Sequence, residues 1–225
     1  MILEWLKAAL LEVQEYTKLC IAVARGTVTR PFYARDVIEQ FDAIGLGSLT
    51  VVILTGMFTG AVLALQSGFT LDQFGARTAV GRLVSASMVK ELGPVLTALM
   101  VTGRVGSGIA AELGSMMVTD QINALRALGT DPIRKLVVPR VLAGFLMTPI
   151  LTIIADAVGI VGGWVVARFQ LQVNSGLYWS SIVKGLYMQD IWMGLAKPFV
   201  FGFVIVTMAK PRKKGLISPI NTSWL

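Results

Sequence analysis

Two adjacent charged residues, Lys90 and Glu91, interrupt the apolar stretch LVSASMVKELGPVLTALMV at 83–101. Ionisable side chains inside a membrane-spanning segment are costly, and they mark functional positions by default. Pro94 follows Lys90 by four residues. It has no N–H to give the Lys90 carbonyl, so the helix should bend there and leave a polar carbonyl free. A kinked helix carrying an ammonium group suits the wall of a cavity that holds a polar headgroup. The plainer reading is a Lys–Glu pair, or a snorkelling lysine that only anchors the helix. Asp156 and Lys197 are the single charges of two further apolar blocks, 141–167 and 191–209. An ion pair between them would satisfy both.

The composition restricts what these groups can do. The chain has 225 residues, is 55% hydrophobic and only 15% charged, against about 25% charged in a soluble domain. Ala43 to Leu71 carries no charge, a stretch longer than the roughly 20 residues that cross a bilayer as a helix. The periodicity is helical rather than the alternation of a barrel. There is no histidine, which argues against triads and metal catalysis, and the lone cysteine, Cys20, excludes a disulfide framework. No phosphate-cradling GxxxxGK[ST] motif is present. A non-catalytic chain without cofactor is expected, and any ATP hydrolysis belongs to a separate subunit. The net charge of +7 is read as basic loops on one side of a membrane, not as a nucleic-acid site.

The expected fold is an all-α integral membrane protein forming one permease domain. Residues 1–24 read as an amphipathic helix in the interface, with Ile2, Trp5, Leu6, Ala9, Val13, Tyr16 and Cys20 on one face. Glu4, Lys7, Glu12, Glu15 and Lys18 lie on the other face. Gly26 is expected to end this helix, and 31–42 to form an elbow. Interfacial and elbow helices thus fill 1–42. Four spans follow at 45–66, 81–104, 141–167 and 187–209, then a basic tail at 210–225. The first and third spans carry GxxxG patterns, Gly56–Gly60 and Gly159–Gly163, which permit close helix approach. The small residues Gly103, Gly106, Gly108, Ala110 and Ala111 suggest the same at the end of the second span. No internal repeat is evident, against a carrier built from inverted repeats.

Four spans place both termini on one side. Fourteen Lys/Arg fall on that side, four (Arg77, Arg82, Arg168, Lys184) on the other and two inside spans. The asymmetry predicts cytoplasmic termini. Between spans two and three, TDQINALRALGTDP (119–132) reads as a short capped helix, with Thr119 or Asp120 at its start. Ile122, Leu125 and Leu128 form an apolar face, Gly129 ends the helix and Pro132 blocks continuation. Such a face needs a groove to cover it, and a cytoplasmic ATPase offers one.

Three stretches, KELGPVLTALMVTGRVGSGIAAELGSM (90–116), TDQINALRALGTDPIRKLVVPR (119–140) and GIVGGW (159–164), resemble the MlaE/YrbE family. TGMFTGAVLALQ (55–66) is similar to that family's first span. These are permease subunits of MCE-associated ABC transporters that move phospholipids between the inner and outer membranes and maintain outer-membrane lipid asymmetry. The resemblance implies a homodimer in the bacterial inner membrane, with an ATP-binding cassette ATPase, a periplasmic MCE-domain protein and a STAS-domain protein as partners. It implies phospholipid contacts at Leu63, Leu71, Lys90 and Glu91. Lys90 stands where some members carry Arg, which keeps the charge and loses the fork. It also makes 119–132 the coupling helix, with Asp120, Gln121, Ala124, Leu125, Leu128, Gly129, Asp131 and Pro132 toward the ATPase. The match fades near Ala209, so a truncated or frame-shifted chain lacking the family's fifth span is expected. The alternatives are a scaffold that assembles without transporting, and an ion-driven carrier or channel using Lys90, Glu91 and Asp156.

Overall fold

The computed structural model describes residues 2–28 and 34–209, and among them there is no strand. Four helices are long and apolar enough to cross a membrane: Ala34–Gln73, Arg77–Val118, Ile133–Phe169 and Met188–Met208. The first three contain their expected spans and run beyond them, and the fourth falls one residue short of its expected bounds at each end. A π-helical turn interrupts the first at Asp42–Leu46, where α2 (Ala34–Phe41) runs into α3 (Gly47–Gln73). The elbow is therefore the first turns of the span itself. The second span divides into α4 (Val80–Ser87), α5 (Gly93–Val101) and α6 (Ser107–Val118), joined by π turns at Met88–Leu92 and Thr102–Gly106. A further π turn, Ile133–Val137, opens the third span, α8 (Val138–Phe169), and the fourth is α10 (Met188–Met208).

α8 is the central helix, packed on α2, α3, α5 and α10. The two GxxxG patterns face each other: a methyl group built on Gly60 would overlap the backbone of Gly159, and one on Gly163 would press on the Gly60 carbonyl at 3.2 Å. Only hydrogen fits at such a crossing, which lets the two backbones touch. The Gly103–Ala111 run behaves differently. A methyl group on Gly103 or Gly108 would meet nothing within 4 Å. Gly106 meets α10, 3.9 Å from Ile205 Cγ2, and Ala110 is half-buried, while Gly103, Gly108 and Ala111 stay exposed.

The N-terminal helix, α1 (Ile2–Val28), passes through Gly26 instead of stopping there. Gly26 is where α1 lies against the third span, and a methyl group added to it would come within 2.8 Å of Val138 Cγ2. Leu19 and Val23 are buried, and the Tyr16 hydroxyl shares a 2.9 Å hydrogen bond with Thr207 Oγ1 of α10. The buried face runs through 19, 23 and 26 with Tyr16 half-buried at its edge, while Val13, one turn before Tyr16, is 63% exposed. The side chains of Ile2, Trp5, Leu6 and Ala9, the segment 29–33 and the basic tail from 210 lie outside the described residues.

A further difference is α9 (Ser175–Gly185), in the stretch left between the third and fourth expected spans. Asn174 caps it, its Oδ1 accepting from Gly176 N at 2.8 Å. Tyr178 and Ile182, one turn apart, bury it against the bundle, and the Tyr178 hydroxyl donates to the Ile160 carbonyl at 3.0 Å. Tyr178 and Ile182 join Ala64, Val80, Val84 and Met88 in a core at the α9 end. A separate core at the opposite end gathers Leu19, Val23, Leu113, Ile122 and Val138.

Candidate functional site

The charged residues within the spans converge on the π turn at Met88–Leu92. Lys90 reaches α10, where its Nζ lies 3.0 Å from Asp190 Oδ1. Asp190 also accepts from the Tyr187 N–H at 3.3 Å, so one carboxylate caps α10 and holds Lys90. From the same helix Lys197 returns a bond, its Nζ donating to the Lys90 carbonyl at 2.6 Å. That carbonyl lies four residues before Pro94, the acceptor a proline leaves without an α-helical donor. Asp190 and Lys197 are seven residues apart, two turns along one face of α10. Side chain and backbone of Lys90 are therefore clasped by two groups of one helix.

The expected pairings do not form. Lys90 turns to Asp190 and Glu91 is exposed with no ion pair among the described residues. Adjacent positions on a helix point in different directions, so Lys90 and Glu91 do not face each other. Lys197 is engaged by the Lys90 carbonyl, and Asp156 Oδ1 is buried without a hydrogen-bond partner among the described residues. Asp156 lies against Gly93, where an added methyl group would overlap Oδ1. Leu63 and Leu71 sit apart from this clasp, half-buried on the core at the α9 end. The Lys90 side chain stays 45% exposed despite its ion pair, so its ammonium keeps an open side.

At the other end, the tip between spans two and three is more compact than expected. α7 covers only Gln121–Ala127. Asp120 precedes it in the left-handed conformation, φ 57°, and its Oδ1 accepts from Asn123 Nδ2 at 3.0 Å instead of capping a backbone N–H. Gly129, φ 74°, ends the helix as expected, with the Thr130 N–H bonded to the Leu125 carbonyl at 3.0 Å. Asp131 and Pro132 belong to the next element. Asp131 Oδ1 accepts from Ile133 N at 3.0 Å, and Pro132 precedes the first π turn of the third span. The expected apolar face divides: Ile122 is 3% exposed and packs inward, Leu125 is half-buried, and Leu128 is 79% exposed beside Val118 at 85%. Asp120, Gln121, Ala124, Gly129 and Asp131 are exposed, and Pro132 is buried. Behind the tip, Arg140 is buried and pairs with Glu112 at 2.6 Å, fixing α8 to α6, and Lys135 of the preceding π turn pairs with Asp36 of α2 at 2.5 Å. Sequence spacing gave no sign of these two pairs, or of Asp190.

A family model for the MlaE permease matches residues 37–211, which takes in the clasp, the tip and all four spans. The chain belongs to the MlaE permease family. A probable ABC transporter permease protein of Rickettsia conorii is 43% identical over 193 residues, 86% of this chain and 74% of the relative. The intermembrane phospholipid transport system permease protein MlaE of Haemophilus influenzae is 38% identical over 173 residues, 76% of this chain and 66% of the relative. The chloroplastic protein TRIGALACTOSYLDIACYLGLYCEROL 1 of Arabidopsis thaliana is 34% identical and covers 84% of this chain and 51% of its own length. This MlaE-family chain is a multi-pass membrane permease subunit.

Proposed function

We propose that this permease forms the membrane path of an ATP-driven phospholipid transporter of the bacterial inner membrane, with both termini cytoplasmic. The observation that carries the reading is Lys90. Its ammonium is held inside a membrane-spanning segment by Asp190 and its backbone carbonyl by Lys197, yet nearly half of its side chain stays open. A cation fixed in this way pairs with a phosphate by a charge-assisted hydrogen bond. Glu91, exposed beside it, suits the cationic or hydroxyl part of a headgroup, and Leu63 and Leu71 suit the acyl chains. The Haemophilus relative is named for phospholipid transport between membranes, which supports this substrate class.

The relatives named as ABC transporter permeases support an ATP-binding cassette ATPase as partner, docked on the exposed Leu128 and Val118 of the tip and the half-buried Leu125. We assign the outer partner to a periplasmic MCE-domain protein and a cytoplasmic one to a STAS-domain protein. Gly103, Ser107 and Ala111, four residues apart and all exposed, suit close packing of a second copy in a homodimer.

The test is phospholipid retained through purification. Lys90→Ala should lose most of the bound phospholipid and Lys90→Arg should keep it. Equal retention by all three proteins would make Lys90 an anchor of α10 and remove the argument for a lipid site there.

A further inference from the structure

Lys197 and Asp156 reach the second span three residues apart, Lys197 on the Lys90 carbonyl and Asp156 Oδ1 against Gly93. Lys197 has three N–H donors, and its hydrogen bond among the described residues goes to the Lys90 carbonyl at 2.6 Å. The second acceptor is Asp156 Oδ1, buried against Gly93 with no partner among the described residues. Lys90 and Gly93 are three residues apart, so the two acceptors lie on neighbouring positions of one helix face. Thr97, one turn beyond Gly93 and fully buried, also has an unpartnered hydroxyl. The seam between α5 and α8 therefore holds unused acceptor capacity. The other cation of the clasp does not compete for it, because Lys90 is committed to Asp190. Unpartnered buried polar groups are uncommon in folded proteins, and each calls for an explanation.

We propose that Lys197 is a two-position latch, held on the Lys90 carbonyl in this conformation and on the Asp156 carboxylate in a second one. Each position leaves one polar group unsatisfied. On Lys90, the orphan is the Asp156 carboxylate. On Asp156, the orphan is the carbonyl freed by Pro94. The ammonium–carboxylate bond is the stronger of the two, but it requires the ammonium to leave an exposed site for a dry seam, and that desolvation offsets the gain. Two states so nearly matched give a bistable element. The π turn at Met88–Leu92 is its mechanical part. Turns of this kind are frequent at functional sites, and this one has its carbonyl held from outside the helix. When Lys197 leaves for Asp156, α10 moves its grip from the second span to the third, and the Lys90 segment is free to shift. The latch is a property of the chain alone and does not rest on which solute the permease carries.

A membrane-permeable carbodiimide applied to native membranes tests this directly. The reagent activates a carboxyl group, an amine in contact displaces it, and an amide forms while the carbodiimide leaves as its urea. A backbone carbonyl cannot react. The Lys90–Asp190 pair should be joined, which proves access and fold. A Lys197–Asp156 amide should also appear in the peptide map of the intact chain, and should be lost in Asp156→Asn. Its absence from chains that carry the Lys90–Asp190 amide would overturn the latch.

Discussion

Lys197 of the fourth span donates its ammonium to the carbonyl of Lys90 in the second span, 2.6 Å away. A proline four residues downstream creates the vacancy, and a lysine 107 residues away fills it. This makes Pro94 and Lys197 energetically dependent on each other. Replacing Lys197 by Met should destabilise the permease by about 1 kcal/mol, the net worth of an exposed hydrogen bond. In a Pro94→Ala background the backbone N–H of residue 94 supplies the donor, and the same replacement should cost markedly less. Thermal unfolding in lipid nanodiscs reads the cycle; additive losses would show that the two residues act separately.

The tip should separate folding from docking. Ile122→Asp places an unpaired charge in the core at that end and should reduce the yield of folded protein, at a cost of about 3 kcal/mol or more. Leu128→Asp changes an exposed position, so the chain should insert and melt as the parent does while losing co-purification of the ATPase. Retention of the ATPase by the Leu128 variant would move the docking site elsewhere.

The helix crossings give a contrast between two glycines. Gly60→Val drives a side chain into the Gly159 backbone, and should cost at least about 1–3 kcal/mol through forced separation of α3 and α8. Gly103→Val meets open space within the chain, so the monomer should fold normally. If the Gly103 surface receives a second copy, this variant alone should shift the dimer to monomer in native mass spectrometry. A dimer of undiminished strength would place the interface on another face.

Topology is testable with thiols. With Cys20 replaced by Ser, a cysteine at the exposed Thr17 of α1 should resist a membrane-impermeant maleimide in intact spheroplasts. A cysteine at the exposed Ser180 of α9 should be labelled. The reverse pattern would invert the chain in the membrane.

Much of this architecture is legible in the sequence because lipid imposes a simple code. Long uncharged stretches mark the spans, and the paired GxxxG patterns mark where α3 and α8 touch. The extensions beyond the expected spans were hidden because polar and charged residues such as Asp36, Asp42 and Glu112 continue a helix that has already left the apolar layer. α9 escaped because half its surface is polar. Its signals were Asn174 at the cap and Tyr178 and Ile182 one turn apart. The clasp was half legible. Pro94 announced a free carbonyl, and Lys90 a functional cation. Their partners Asp190 and Lys197 were not, since contacts a hundred residues apart depend on how helices pack. The Lys90–Glu91 pairing did not form because neighbours on a helix diverge.

The most direct test of the central claim is transfer of a labelled phospholipid in proteoliposomes. The permease would be reconstituted with the ATP-binding cassette and MCE-domain subunits of its own organism. ATP-dependent transfer is expected that requires this chain, falls at least tenfold in Lys90→Ala and persists in Lys90→Arg. Transfer that proceeds equally without the chain, or at an unchanged rate in Lys90→Ala, would contradict it.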